Sequence, residues 1–247
     1  MADPNSHTMS RRRFIDIILG GIAYAAFAPL PVGAQSSPDK MKIGVVGSGR
    51  LGGAVGSLWV KAGHPVLFSS RHPEQLQAMV TELGPLARAG FPKDAAAFGD
   101  AVLIAVPYGA LPQVGRDLAP LLRGKVVLDA CNAVASRDGA IVEEVKANGI
   151  GITSQKYLPG ARVVRAFNTL GSGTLRQEAN RPEPRMAIPL AGDDAEALKV
   201  ATALVRDAGF DPVVVGPLRR ADDFAQGARG YGQRVSATEL KRTLGLD

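Results

Sequence analysis

The sequence predicts an α/β fold built on a doubly wound, mostly parallel sheet, with a small C-terminal α/β extension. From about residue 41 onward, short apolar runs rich in β-branched residues alternate with segments of helical periodicity. A glycine-rich turn separates the first run from the first helical segment. The 247 residues suffice for one large domain, and a composition of 46% hydrophobic and 21% charged residues is that of a folded globular protein.

The first elements follow from strong local signals. Lys42 to Val46 is an apolar run that predicts a buried strand, and the helix after it is expected from about Arg50 to Ala62. That helix is predicted to end at Gly63, because glycine commonly terminates helices. Val66 to Phe68 predicts the second strand. Pro73 opens a second helix, since proline is favoured in a first helical turn.

The alternation continues along the rest of the chain. Further strands are predicted at residues 101–106, 125–128, 162–167, 186–191 and 212–215, and further helices near residues 111–122, 141–146 and 194–208. Strands separated by helices of this length predict parallel pairing through right-handed crossovers.

Residues 1–34 have the order of a bacterial export leader. The arginines at Arg11 to Arg13 precede an apolar stretch from Ile17 to Ala28, then prolines and the small-residue site Val32-Gly33-Ala34. Twin arginines are typical of Tat signals, so we expect a periplasmic protein. Twelve helical residues extend for about 18 Å, short of a hydrocarbon core of about 30 Å, so a retained membrane anchor is the weaker alternative. Residues 1–8 are interpreted as an upstream addition or a misplaced start.

Composition argues against several function classes. The chain has 29 basic and 23 acidic residues, and the excess is spread without a basic run after residue 40, so nucleic-acid binding is not predicted. A single cysteine, Cys131, excludes an intrachain disulfide and a cysteine-based zinc cluster. With three histidines in the whole chain, we expect no metal site.

The glycine turn comprises Gly47, Ser48, Gly49, Arg50, Leu51 and Gly52. It follows a predicted strand and opens a predicted helix, as expected of a Rossmann-like dinucleotide site. The first glycine permits a tight turn, the second lets backbone N–H groups approach a pyrophosphate, and the third allows the helix to pack closely on the strand. The anion then lies at the positive helix N-terminus. Glycines that serve the turn alone are the alternative.

The second predicted strand ends in Ser69, Ser70 and Arg71, where NAD-specific proteins of this fold carry an acidic residue. Two hydroxyls and a guanidinium suit a 2′-phosphate, which arginine binds through charge-assisted hydrogen bonds. The sequence therefore predicts NADP as the cofactor. Arg50 is a candidate second cation, and a solvated loop charge is the alternative for Arg71. We expect a linker at residues 35–41 and an NADP-binding domain with its extension at residues 42–247.

Three stretches resemble the NADPH-dependent reductases of the deazaflavin coenzyme F420 and the related nucleotide domain of the STEAP metalloreductases. They are residues 43–52, residues 69–71 and residues 158–169, the last reading LPGARVVRAFNT. Residues 191–194 and 216–218 also fit, so the likeness covers about residues 41–220. The tail after residue 218 departs from the family, and so does export, since these deazaflavin reductases are expected in the cytoplasm.

The resemblance implies a cofactor and acceptor site. Ser70 and Arg71 would hold the 2′-phosphate, and the residues near the nicotinamide would be Pro107, Tyr108, Asn132 and Ala133. Phe167, Asn168 and Thr169 would border the acceptor. A core aromatic is the alternative for Phe167, a turn residue for Asn168, and a small buried hydrophobe for Cys131.

These candidate segments contain no His, Lys, Asp or Glu, and Tyr108 is their one plausible proton donor. Hydride transfer to a flavin-like ring needs no protein acid, whereas carbonyl reduction needs a donor. We therefore expect an oxidoreductase that moves hydride between NADPH and a flavin-like or deazaflavin acceptor. The alternative is a non-catalytic NADP-binding module that serves a redox partner. The expected partner is a small-molecule or redox-cofactor acceptor. We expect no stable membrane insertion after processing, and the sequence leaves open whether the protein forms a homodimer.

Overall fold

The structure, a computed structural model, describes residues 40–246. The predicted leader, and the linker up to residue 39, lie outside the described residues. The strands are β1 (Ile43–Val46), β2 (Val66–Ser69), β3 (Ala87–Gly90), β4 (Ala101–Ile104), β5 (Val126–Asp129), β6 (Arg162–Arg165), β7 (Ala187–Gly192) and β8 (Asp211–Gly216).

The helices are α1 (Arg50–Lys61), α2 (Gln77–Leu83), α3 (Pro92–Phe98), α4 (Leu111–Leu122), α5 (Ala135–Asp138), α6 (Ile141–Asn148), α7 (Ile150–Tyr157), α8 (Ser172–Glu178), α9 (Ala195–Asp207) and α10 (Ala237–Leu244). Short 3₁₀ turns cover Pro73–Leu76, Tyr108–Ala110 and Leu218–Phe224. Within the described range, no helix is both long enough and apolar enough to cross a membrane.

The strands of the described residues form one eight-stranded sheet of order β3-β2-β1-β4-β5-β6-β7-β8. β1 to β6 run parallel, β7 pairs antiparallel with β6, and β8 runs parallel to β7. The predicted Rossmann-like, doubly wound and mostly parallel sheet is therefore confirmed.

Each face of the sheet carries its own apolar core, because strands of a doubly wound sheet are buried on both sides. α1 and α9 cover one face, and α4, α7 and α10 cover the other. The first core contains the buried rings of Trp59, Phe68, Phe167 and Phe210, and the second contains Tyr108, Leu111, Leu118 and Phe224. The two layers fix the sheet edge at which the candidate site lies.

The reversal at β7 has a physical reason. A parallel connection must carry the chain back across the sheet, and α8, the helix between β6 and β7, has seven residues and a length of about 10 Å. The chain therefore enters β7 from the edge at which β6 ends. α9 is longer, with 13 residues, and it restores a parallel crossover between β7 and β8.

Candidate functional site

The predicted site residues converge on one edge of the sheet. β1, β4, β5 and β6 are neighbouring parallel strands, so their carboxyl ends lie side by side. The glycine turn follows β1, Pro107 follows β4, Asn132 follows β5, and Asn168 follows β6. This is the edge at which doubly wound sheets bind ligands.

The three glycines of the turn differ in what a side chain at each position would meet. Gly47 has φ +94°, and a Cβ there would lie 2.6 Å from the carbonyl oxygen of Ala105. A Cβ on Gly52 would lie 2.2 Å from the carbonyl oxygen of Gly47, so this glycine lets α1 pack closely on β1. A Cβ on Gly49 would meet nothing within 4 Å. The space above Gly49 is therefore open to a ligand.

The N-terminus of α1 suits an anion. Gly49 is its N-cap residue, no side chain caps the helix, and the first turn holds no acidic residue. The first backbone N–H groups of a helix lack intrahelical partners, and the helix dipole is positive there. The exposed side chain of Arg50 adds a cation at the same end. These residues fit the pyrophosphate of a dinucleotide.

Ser48 and Ser69 hold the turn against β2. The Ser69 N–H donates to Ser48 Oγ at 2.8 Å, and Ser69 Oγ donates to the carbonyl oxygen of Val45 at 2.7 Å. Both serines are buried, Ser69 completely. The predicted contact between the Ser69 hydroxyl and a phosphate is therefore corrected, because that hydroxyl is already bonded inside the sheet.

Ser70 and Arg71 lie at the surface beyond the end of β2. Ser70 is half-buried and its Oγ accepts the N–H of His72 at 3.1 Å, which leaves the hydroxyl hydrogen free to donate. Arg71 is exposed and forms no ion pair with any described residue. The pair can present a hydroxyl and a guanidinium to a 2′-phosphate.

The Tyr108 side chain does not reach the crevice. Its ring is fully buried, its hydroxyl donates to the carbonyl oxygen of Ile150 at 3.1 Å, and it shares a 3.0 Å hydrogen bond with the hydroxyl of Ser154. Burial raises the pKa of Tyr108 far above its ordinary value, and the charge of Asp129 raises it further. The hydroxyl of Tyr108, the one plausible donor among the predicted segments, is therefore enclosed by protein, and the position of this residue near the nicotinamide stays a prediction. Pro107 is exposed after the end of β4.

Asn132 and Asn168 join the ends of β5 and β6. Asn132 Nδ2 donates to the backbone carbonyl of Asn168 at 2.7 Å, and Asn168 Nδ2 donates to the carbonyl of Phe224 at 3.1 Å. Asn168 Oδ1 is buried and has no partner among the described residues. Ala133 is half-buried beside Asn132. The two amide side chains thus connect the ends of β5 and β6, and the Asn168 Oδ1 atom is the acceptor that lacks a partner among the described residues.

Phe167 and Thr169 face inward. The Phe167 ring packs edge-on against Trp59 and Phe210, with centroids 5.7 and 6.4 Å apart, and its backbone has φ +60°. Thr169 is buried, and its carbonyl accepts the N–H of Gly232 at 3.0 Å. Both side chains are enclosed by protein, so these two residues could border an acceptor only through their backbone. The positive φ at Phe167 is uncommon for a residue other than glycine, and it lies directly before the buried Asn168.

A cleft of about 490 Å³ opens at this edge. Its lining residues are Arg50, Leu51, Asn132, Val134, Arg137, Asn168, Leu170, Gly171, Ser172, Gly173, Gln226 and Tyr231. The lining contains two guanidiniums and no carboxylate, histidine or lysine. Sequence reasoning missed Arg137, Gln226 and Tyr231, and no sequence motif marks them. Gln226 and Tyr231 come from the segment after Phe224, which the bond from Gly232 to Thr169 folds over the end of β6.

A buried ion pair supports the turn after β5. Arg165 Nη1 lies 2.6 Å from Asp129 Oδ2, and neither side chain is exposed. The Cys131 N–H donates to Asp129 Oδ1 at 2.9 Å. Cys131 is buried as a small hydrophobe, and burial raises its thiol pKa well above the ordinary value. It is therefore a packing residue rather than a nucleophile.

The chain is similar to known oxidoreductases. Residues 42–133 match the family described as NADP oxidoreductase, coenzyme F420-dependent. Metalloreductase STEAP3 of Rattus norvegicus is 25% identical over 191 residues, which cover 76% of this chain. The match spans 36% of that relative's own length.

Several solved structures are also similar to this chain. A hypothetical protein from Sinorhizobium meliloti is 26% identical with a TM-score of 0.68, over 80% of this chain and 95% of that one. A structure described as an F420-dependent NADP reductase, from an Arthrobacter species, is 25% identical with a TM-score of 0.62, over 74% and 87% of the two chains. An imine reductase from Myxococcus stipitatus in complex with NADP+, at 17% identity and a TM-score of 0.52 over 83% and 60%, shares the fold alone.

The glycine turn, the strand edge and these similarities agree with the resemblance stated from the sequence. Residues 42–133 match the coenzyme F420-dependent NADP oxidoreductase family, and the chain is similar in sequence to a STEAP metalloreductase and in sequence and fold to a structure described as an F420-dependent NADP reductase.

Proposed function

We propose that this protein is an exported oxidoreductase that transfers hydride between NADPH and a flavin-like or deazaflavin acceptor. The observation that carries the proposal is the cleft at the carboxyl ends of β1, β5 and β6, whose lining offers amides and guanidiniums but no carboxylate, histidine or lysine. Such a lining can orient rings and bind anions, and it offers little general acid catalysis.

The residues of the glycine turn would bind the cofactor at its phosphates. The N–H groups of the first turn of α1 would receive the pyrophosphate, and Arg50 would add charge. Ser70 and Arg71 would select the 2′-phosphate form. The bound nicotinamide supplies the hydride, and the protein supplies its orientation and the exclusion of water.

The acceptor would lie in the outer part of the cleft. The half-buried Asn132 presents its amide group from the sheet edge, Asn168 lines the same end of the sheet from a buried position, and Tyr231 supplies the one aromatic side chain of the lining. A planar heteroaromatic ring matches this combination of a flat apolar surface and amide partners. Tyr231, rather than Tyr108, is the phenol in contact with the cleft, so it is the residue on which a carbonyl-reducing activity would depend.

The purified protein is assayed for NADPH oxidation with riboflavin, FMN and a deazaflavin, and in parallel with small ketones and aldehydes. We expect turnover with the ring acceptors and little with the carbonyl compounds. The matched variants Tyr231→Phe and Tyr108→Phe should both keep most of the ring-acceptor activity. Fast ketone reduction that Tyr231→Phe slows by about 10²- to 10⁴-fold would instead indicate a dehydrogenase with a phenol acid.

A second candidate is an NADP-binding module that serves a redox partner. It is favoured by the match to STEAP3, which covers 36% of that protein. Tight NADPH binding without oxidation by any soluble acceptor would support this candidate over the enzyme.

A further inference from the structure

Asp138 ties together two loops at the sheet edge. Its Oδ1 accepts the N–H of Gly109 at 3.0 Å, and its Oδ2 accepts the N–H of Val134 at 2.7 Å. Gly109 lies in the 3₁₀ turn that follows β4, and Val134 lies in the loop that follows β5. One carboxylate thus fixes the spacing between the segments that contain Pro107 and Asn132.

Arg137 completes this arrangement. Its Nε donates to Asp138 Oδ1 at 3.0 Å, and its Nη2 donates both to Asp138 Oδ2 at 2.8 Å and to the carbonyl of Asn132 at 2.7 Å. The Asp138 side chain is 1% exposed, whereas Arg137 is about half exposed at the cleft. The carboxylate therefore has four N–H donors and no contact of its own with the cleft.

Hydrogen bonds stabilise the negative charge of Asp138. Burial by itself raises the pKa of a carboxyl group, but the bonds from Arg137, Gly109 and Val134 outweigh burial and lower the pKa of Asp138 below its ordinary value. Each carboxylate oxygen accepts two of these N–H groups, so replacement by asparagine would put an NH₂ group against two of the four donors and remove their acceptor.

We propose that Asp138 is a positioning residue for the nicotinamide half of bound NADPH. This inference rests on the proposed function, because it assigns Asp138 to the loops on which that half would lie. The phosphate half of bound NADPH would lie against the glycine turn, which other hydrogen bonds hold in place. The glycine turn is held to β2 through Ser48 and Ser69, and Asp138 contacts neither of them. Loss of Asp138 should therefore affect one half of the dinucleotide and spare the other.

The test compares two ligands on the folded full-length protein. NADPH contains both halves, whereas adenosine 2′,5′-bisphosphate contains the 2′-phosphate half without nicotinamide. For Asp138→Asn we expect NADPH affinity to fall by about tenfold or more, since hydrogen bonds to a charged group are lost and the loops shift. Affinity for the bisphosphate should stay within about twofold. NADPH fluorescence reports separately on whether the nicotinamide ring is still shielded.

Asp194→Asn is the matched control. Asp194 also accepts a backbone N–H, from Ala197 at 2.7 Å, and also faces an arginine, Arg162, at 3.8 Å. It follows β7, which runs antiparallel to β6, so it lies at the opposite edge of the sheet. We expect this variant to bind both ligands as the wild type does, even where its thermal stability falls.

Any one of three results with the variants overturns the inference. Asp138→Asn weakens both ligands equally, or it weakens neither, or Asp194→Asn shows the same selective loss. If Asp138→Asn does not fold, Arg137→Gln removes the bond to the Asn132 carbonyl and is judged by the same ratio of affinities. A wild-type protein that binds the bisphosphate but not NADPH overturns the proposed function and this inference together. Wild-type NADPH binding that Asp138→Asn leaves unchanged overturns the inference alone.

Discussion

Arg71 is an exposed cation that follows β2, where NAD-binding proteins of this fold carry an acidic residue. A hydrogen bond to a charged group contributes roughly 1.5–3 kcal/mol, so Arg71→Ala should weaken NADPH binding by about 10- to 150-fold. NADH lacks the 2′-phosphate, and its binding should barely change. Titration of both nucleotides measures the two effects.

Arg116→Ala is the control for this prediction, because Arg116 is exposed on α4 and pairs with Gln113. It should leave both affinities unchanged. An equal loss of NADPH and NADH affinity in Arg71→Ala would mean that Arg71 does not recognise the 2′-phosphate.

Individual residues differ in how far the sequence predicts their roles. The backbone role of Gly47 could be predicted, because the missing Cβ directly determines where the chain can turn. The directions of Ser69 and Tyr108 could not, since each depends on which neighbouring element offers a partner. Arg137 and Tyr231 lack any spacing signal, and tertiary folding alone brings them to the cleft.

Within α1, two glycines offer an internal comparison. A Cβ on Gly56 would lie 2.4 Å from Cε1 of the buried Phe68 ring, whereas a Cβ on Gly53 would lie 3.5 Å from Met79 Sδ, an ordinary contact. Gly53→Ala should therefore raise the free energy of unfolding by up to about 1 kcal/mol, through helix propensity. Gly56→Ala should lower it by about 1–3 kcal/mol, because overpacking exceeds that gain.

Denaturant unfolding of both variants measures the difference. The two substitutions are chemically identical and lie in one helix, so propensity alone would stabilise both. Equal stabilisation would show that α1 can move away from β2, and that the close packing between them is not required.

Elements with strong periodicity were predictable, and weakly patterned ones were not. β1, α4 and α9 are present close to their predicted positions, because apolar periodicity reports burial on a sheet face or a helix face. β3 was missed since its sequence, ARAG, is short, contains a charge and lies at the sheet edge. β7 was predicted as a strand at residues 186–191, but its antiparallel direction was not, because strand direction depends on the connection rather than on the strand's own residues.

For the whole molecule, the family match and the site cover different parts of the chain. The match ends at residue 133, within the loop that contains Asn132. Asn168, Gln226 and Tyr231, which complete the cleft, lie beyond it. In the proposed function, the nucleotide would thus be bound by residues within the match, whereas the acceptor would also contact residues that follow it. The identity of the acceptor is therefore the part of the proposed function that the sequence predicts least.

Export is the last prediction and concerns the whole chain. A dinucleotide-binding fold behind twin arginines suggests that the protein is exported folded, with its NADP already bound. Changing Arg11 and Arg12 together to Lys keeps the leader's charge but removes the twin-arginine signal, so we expect the precursor to accumulate in the cytoplasm. Arg13→Lys alone should be exported normally. Cell fractionation followed by immunoblotting shows in which compartment each variant accumulates. Normal export of the double variant would mean that the leader does not use the Tat route.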